Sequence, residues 1–174
     1  AATYVRKAVD MGKWAFAKDS VVQGQQELHD LIDLLGPLTR DRVGDSKLAY
    51  QMYKAAAGKL ENPKSQAQCE MNAADILIND MVNAEAAKPL LDSATSKLGE
   101  GQPGKYASRL ARIWGDYYAA TGDGAAARKA YRKAEQVRDS MRTHAERMAW
   151  RGAHSRSAEK FLMSEHWGRA RSQI

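Results

Sequence analysis

Among 174 residues the chain has one cysteine, Cys69, together with four prolines and two phenylalanines. A single cysteine excludes an intramolecular disulfide and any cysteine-rich zinc site. No stretch approaches the roughly 18 consecutive apolar residues of a membrane span, and the first 30 residues lack the apolar core of a signal peptide. The prolines, at 37, 63, 89 and 103, are far enough apart for helix to fill most of the length. Hydrophobic residues make up 44%, but alanine supplies much of that share. Small residues of this kind suit closely packed helices better than sheets, which draw on β-branched and aromatic side chains. The fold class expected is all-α.

The net charge of +6 is unevenly distributed. Residues 1–104 hold 12 Lys/Arg and 14 Asp/Glu, a balance of −2, and residues 105–174 hold 15 and 7, a balance of +8. A basic C-terminal half is compatible with a nucleic acid or another acidic polymer as partner, or with a solvated, arginine-rich helix face.

The clearest unit of organisation is Arg109 to Ala134, reading RLARIWGDYYAATGDGAAARKAYRKA. Leu110, Ile113, Trp114, Tyr117 and Tyr118 repeat at helical spacing, Thr121-Gly122-Asp123-Gly124 breaks the run, and Ala127, Ala130, Tyr131 and Ala134 share a second helical face. Asp123 is placed to cap the second helix. The same small–large–small triplet recurs as Ala49-Tyr53-Ala56, Ala87-Leu91-Ala94 and Ala127-Tyr131-Ala134, and a fourth copy starts at Ala170 and Ile174. Intervals between the leading alanines are 38, 40 and 43 residues. Helices are expected at 3–18, 20–35, 45–60, 65–80, 84–98, 105–121, 124–148, 151–164 and 166–174, with Gly36-Pro37 ending the second and Pro89 in the first turn of the fifth.

With Ser108 as the start of a unit of about 34 residues, Gly115, Tyr118, Ala127, Tyr131 and Ala134 fall on signature positions of the tetratricopeptide (TPR) family, which the chain resembles. Trp114 stands where leucine is usual, and Asp139 where the pattern closes on proline. The resemblance implies a right-handed superhelical stack of antiparallel helical hairpins, a TPR-like α-solenoid. Residues 1–44 are expected to form N-terminal helices packing on an array of TPR-like repeats at 45–174. The last repeat is read as truncated and the chain as a fragment of a larger protein, because each hairpin buries its apolar face against a neighbour.

Gly99-Glu100-Gly101-Gln102-Pro103-Gly104 spells the dinucleotide-binding pattern, but that motif needs a preceding strand and here follows a helix, so it reads as an inter-hairpin loop. The histidines at 29, 144, 154 and 166 form no metal-binding pair, and no nucleophile elbow or P-loop occurs. Cys69 reads as a structural thiol, and Asp30 and Asp33 share a face as on any amphipathic helix. Trp114 reads as hairpin core, and Trp14, Trp150 and Trp167 as packing residues or peptide anchors. No enzymatic activity, cofactor or metal is therefore expected.

The resemblance further implies a concave groove lined by the first helix of each hairpin. Carried onto this chain it places Cys69, Asn72, Ala73, Ile76, Asn79 and Asp80 there, then Arg109, Arg112, Ile113, Asp116, Ala119 and Ala120, then Gly152, Ser155, Arg156, Glu159, Leu162 and Met163 of the last unit. Asn72, Asn79, Arg109, Arg112, Asp116 and Arg156 are the candidate partner-binding residues. Arginine binds a carboxylate through two parallel hydrogen bonds, and asparagine amides grip peptide backbone. The expected partner is accordingly a protein or peptide with an acidic or C-terminal carboxylate group. Self-association through uncapped repeat ends is a further expectation.

Overall fold

The computed structural model describes residues 24–99 and 105–142, and every regular element among them is helical. In chain order these are α1 (Gln25–Pro37), a π-helical turn (Leu38–Val43), α2 (Ser46–Lys59), α3 (Pro63–Asn79), α4 (Ala84–Leu98), α5 (Lys105–Ala120) and α6 (residues 124–142). The helices expected at 3–18, 151–164 and 166–174, residues 143–148 of the seventh, the start of the fourth triplet and all but Gly99 of the glycine-rich loop lie outside the described residues.

Four short polar side chains set the starts. Asp45 accepts from the Leu48 amide at 2.9 Å, Asn62 from Lys64 at 2.9 Å, Asn83 from Ala86 at 3.3 Å and Asp123 from Ala126 at 2.9 Å. Each satisfies an amide that the first turn of a helix leaves open. Pro63 sits at the start of α3, where its missing N–H costs nothing.

Two expectations are corrected. Gly36-Pro37 does end the α-helix, which runs Gln25–Pro37, but a π-helical turn, Leu38–Val43, follows directly where a non-helical connection was expected. Proline supplies no amide to the ladder, and the chain widens past it. The Thr39 hydroxyl donates to the Leu35 carbonyl at 2.7 Å, and the Asp45 amide donates to the Thr39 carbonyl at 3.0 Å. Gly44, at φ +76°, then makes a left-handed stop that strains any other residue. Pro89 is not in a first turn, since α4 already starts at Ala84. Pro89 and Glu85, whose carbonyl loses its partner, are both exposed, so water can take the place of the missing amide.

Consecutive helices pair antiparallel. Gly36 and Thr39 of the first arm meet Tyr53 and Met52 of α2, Glu70 of α3 meets Ser93 of α4, and Gly115 of α5 meets Tyr131 of α6. A Cβ at Gly36 would overlap the Tyr53 ring, and one at Gly115 would overlap the Tyr131 ring. The middle hairpin solves the same problem with smaller pieces: fully buried Leu91 takes the place of the tyrosine, and Ala74, at the matching offset, that of the glycine. The remaining triplet residues Ala49, Ala56, Ala87, Ala94, Ala127 and Ala134 are also buried.

Helix α3 is enclosed on two sides. Cys69, Ala73 and Ile76 join Leu28, Ile32, Met52 and Tyr53 in one core. Ala67, Met71, Ala74 and Leu77 join Leu91, Ile113 and Tyr117 in the second. The consequence is that every residue from Cys69 to Ile78 is buried, so any polar side chain in that stretch must find partners.

Candidate functional site

Between its two apolar stripes α3 carries a third, polar one: Gln68, Asn72, Asp75 and Asn79, spaced by four, three and four residues along one helical face. Asp75 is its centre. Only 6% exposed, it receives hydrogen bonds from Arg40 Nη1 at 2.6 Å, Arg112 Nη2 at 3.0 Å and Asn79 Nδ2 at 3.1 Å. These donors come from the π-helical turn, from α5 and from α3 itself. One carboxylate therefore ties three successive hairpins together.

The network extends both ways. Arg40 also grips Asp80 side-on, through Nε at 2.7 Å and Nη2 at 2.6 Å, and Ser46 donates to the same carboxylate at 2.7 Å. Arg112 donates to Asp116 at 2.6 Å, and the Tyr131 hydroxyl donates to the other oxygen of Asp116 at 2.8 Å. The result is a ladder of alternating charge, Asp80–Arg40–Asp75–Arg112–Asp116, along one face. Burial alone would push the Asp75 carboxyl up, but the hydrogen bonds from Arg40 and Arg112 outweigh it and hold the group below the usual carboxylate range. Asp80 is lowered chiefly by its bond from Arg40. Arg40 is raised chiefly by that same bond, against the opposing effect of burial.

Arg109 stands apart from the ladder. Half-buried, it donates to Asn72 Oδ1, and no carboxylate pairs with it among the described residues. It borders a cleft of about 330 Å³. The first hairpin contributes Asp33, Arg40, Asp41 and Tyr53 to that cleft, and α3 contributes Gln68 and Asn72. Gln68 donates to Asp33 at 2.7 Å, while Asp41 has no partner among the described residues.

Of the candidate residues, Asn72, Asn79, Arg109, Arg112 and Asp116 stand on α3 and α5 with polar contacts to one another or to Asp75. Arg156 lies outside the described residues. Arg112, bonded to Asp75 and Asp116, already has two carboxylates, whereas Arg109 has none among the described residues. Four other groove positions are corrected: Cys69, Ala73, Ile76 and Ile113 are buried in the cores, because α3 and α5 each pack against a helix on both sides. Burial pushes the Cys69 thiol up to about 12, with Asp33 and Glu70 adding to the shift.

Arg40, Asp75, Tyr53, Gln68 and the pairing of Asp33 were not foreseen from sequence. A signal for Asp75 existed in the stripe at 68, 72, 75 and 79, since an acid inside an enclosed helix demands cationic partners, as Glu70 on the same helix finds in Lys97. Nothing local marks Arg40. Among the described residues no cluster of His, Cys, Asp or Glu is arranged to hold a metal ion, and no helix is long and apolar enough to cross a membrane. No family model matches the chain, and neither the curated proteins nor the solved structures contain a significant match.

Proposed function

We propose that this chain is a TPR-like helical-repeat scaffold, not an enzyme, and that it holds a segment of a partner protein against the face shared by α1, α3 and α5. The hairpins are taken as successive turns of a right-handed α-solenoid, with that face on its concave side. The observation that carries the reading is the Asp75 junction, which draws polar side chains from three successive hairpins onto one surface. A row of polar groups fixed by one another presents donors and acceptors with little entropy left to lose on binding. Arg109, steadied by Asn72, is the guanidinium left for an acidic or C-terminal carboxylate group of the partner.

The test is selection of random peptides displayed on phage, followed by affinity measurement against the wild-type chain and Arg112→Glu. Enriched peptides should lose at least about tenfold in affinity, roughly 1.4 kcal/mol, on the variant. Equal affinity for both, or no enrichment, would sink the reading.

A second reading has one observation behind it. Arg128, Lys129, Arg132 and Lys133 are all exposed on α6 and form no ion pair among the described residues. Four such cations within two turns suit phosphate contacts with a nucleic acid or another acidic polymer. Affinity for single-stranded oligonucleotides should then fall steeply as salt rises, and no binding at low salt rules this out.

A further inference from the structure

The cleft beside Arg109 has opposite charges at different points of its lining. Gln68 and Asn72 stand one turn apart on α3, about 6 Å along the axis. Asp33 accepts from the first and Arg109 donates to the second. The carboxylate and the guanidinium are thus attached to adjacent rungs of one helix, about 6–10 Å apart when side-chain reach is included. Burial raises the Tyr53 phenol most; Arg109 and Arg40 oppose that rise, and Cys69 and Asp33 add to it. Asp41 adds a second carboxylate to the lining. Arg40 adds little free positive charge, because Asp75 and Asp80 both hold it.

A ligand of a single sign would meet a like charge here. An acidic tail that reached Arg109 would face Asp33 and Asp41, and a purely basic segment would face Arg109. A volume of about 330 Å³ is at the lower end of the roughly 300–1,000 Å³ of small-ligand sites. That is room for a residue or two.

From this polarity, and resting on the scaffold reading above, we infer that the cleft takes the last residue of a peptide ending in lysine or arginine. Its α-carboxylate pairs with Arg109 and the Asn72 amide, and its side-chain cation lies between Asp33 and Asp41. Arginine and carboxylate form two parallel bonds, and an extended lysine or arginine spans the distance to the acids. Free lysine or arginine carries the same two charges, so the test separates it from a peptide terminus.

The experiment is fluorescence anisotropy of the full 174-residue chain with labelled six-residue peptides. One ends in lysine with a free carboxylate, one in lysine amide, and one in norleucine with a free carboxylate. The first should bind, and each of the others should bind at least about tenfold more weakly. Arg109→Gln should remove the preference for carboxylate over amide. The pair Asp33→Asn and Asp41→Asn should remove the preference for lysine over norleucine. Unlabelled peptide should compete well below the concentration at which free lysine does; equal competition would assign the cleft to the free amino acid and overturn the peptide assignment. Equal binding of the three peptides, or no binding up to about 1 mM, overturns it without appeal to any variant. Display-selected peptides that still depend on Arg112 would leave the scaffold reading standing in either case.

Discussion

Replacing Asp75 by alanine removes the junction at which three hairpins meet, and its cost follows from the geometry. Two of the lost hydrogen bonds come from guanidinium groups, at 2.6 and 3.0 Å, and bonds of this kind contribute about 1.5–3 kcal/mol each. The full penalty of about 3–5 kcal/mol for stranding a buried ion does not apply, because Arg40 keeps Asp80 and Arg112 keeps Asp116. Arg40 and Arg112 are also 26% and 47% exposed at the side chain, so water screens part of each interaction. The expected loss is about 2–4 kcal/mol, a large share of the roughly 5–15 kcal/mol typical of a folded domain. Urea denaturation at neutral pH reads it directly. Acid provides a second check. The Asp75 carboxyl titrates below its ordinary value near 3.9, so its contribution is complete above that value and disappears as pH falls through the lower, folded one. The gap between wild type and Asp75→Ala should therefore be flat from about pH 7 to 5 and close below about pH 4. A loss under about 0.5 kcal/mol at neutral pH, the level of an exposed pair, would refute the claim that this ladder holds the hairpins.

Three further perturbations probe the frame. Gly36→Ala forces a methyl into the Tyr53 ring and should cost about 1–3 kcal/mol; adding Tyr53→Leu, which imitates the Ala74–Leu91 pair, should recover part of that in a double-mutant cycle followed by urea denaturation. Val82 is 87% exposed and held at φ +50°, a strained conformation for a β-branched residue, so Val82→Gly should raise stability by about 1 kcal/mol in thermal melts. The Cys69 thiol, buried and raised to about 12, should react with a thiol reagent at pH 8 only as fast as the chain opens, and at full rate in guanidinium; rapid native labelling would contradict its place in the core.

Much of the frame could be read before any coordinates. Asp45, Asn62, Asn83 and Asp123 stand beside breaks in apolar periodicity, and short polar caps act locally, so the starts of α2, α3, α4 and α6 fall within a few residues of expectation. The alanine triplets were legible for a similar reason, since tight helix contacts accept few residue types. The π-helical turn was not, because proline after glycine normally stops a helix, and here the burial of Thr39 against Met52 carries the chain onward. Arg40 was invisible because its partners lie 35 and 40 residues away, and no local pattern encodes a contact of that range. Arg112 and Arg109 look alike in sequence, three residues apart on one helix. Only the fold separates the one bonded to Asp75 and Asp116 from the one that, among the described residues, is bonded to Asn72.

The central claim is that the face built on α1, α3 and α5 receives a partner segment. Its most direct test is a titration of the 15N-labelled chain with the strongest peptide from the display selection, followed by amide chemical shifts. The account expects the largest shifts around Gln68, Asn72, Asp75, Asn79, Arg109 and Arg112, with little change on the exposed sides of α4 and α6. Shifts confined to α4 and α6, or spread evenly over the chain, would contradict it.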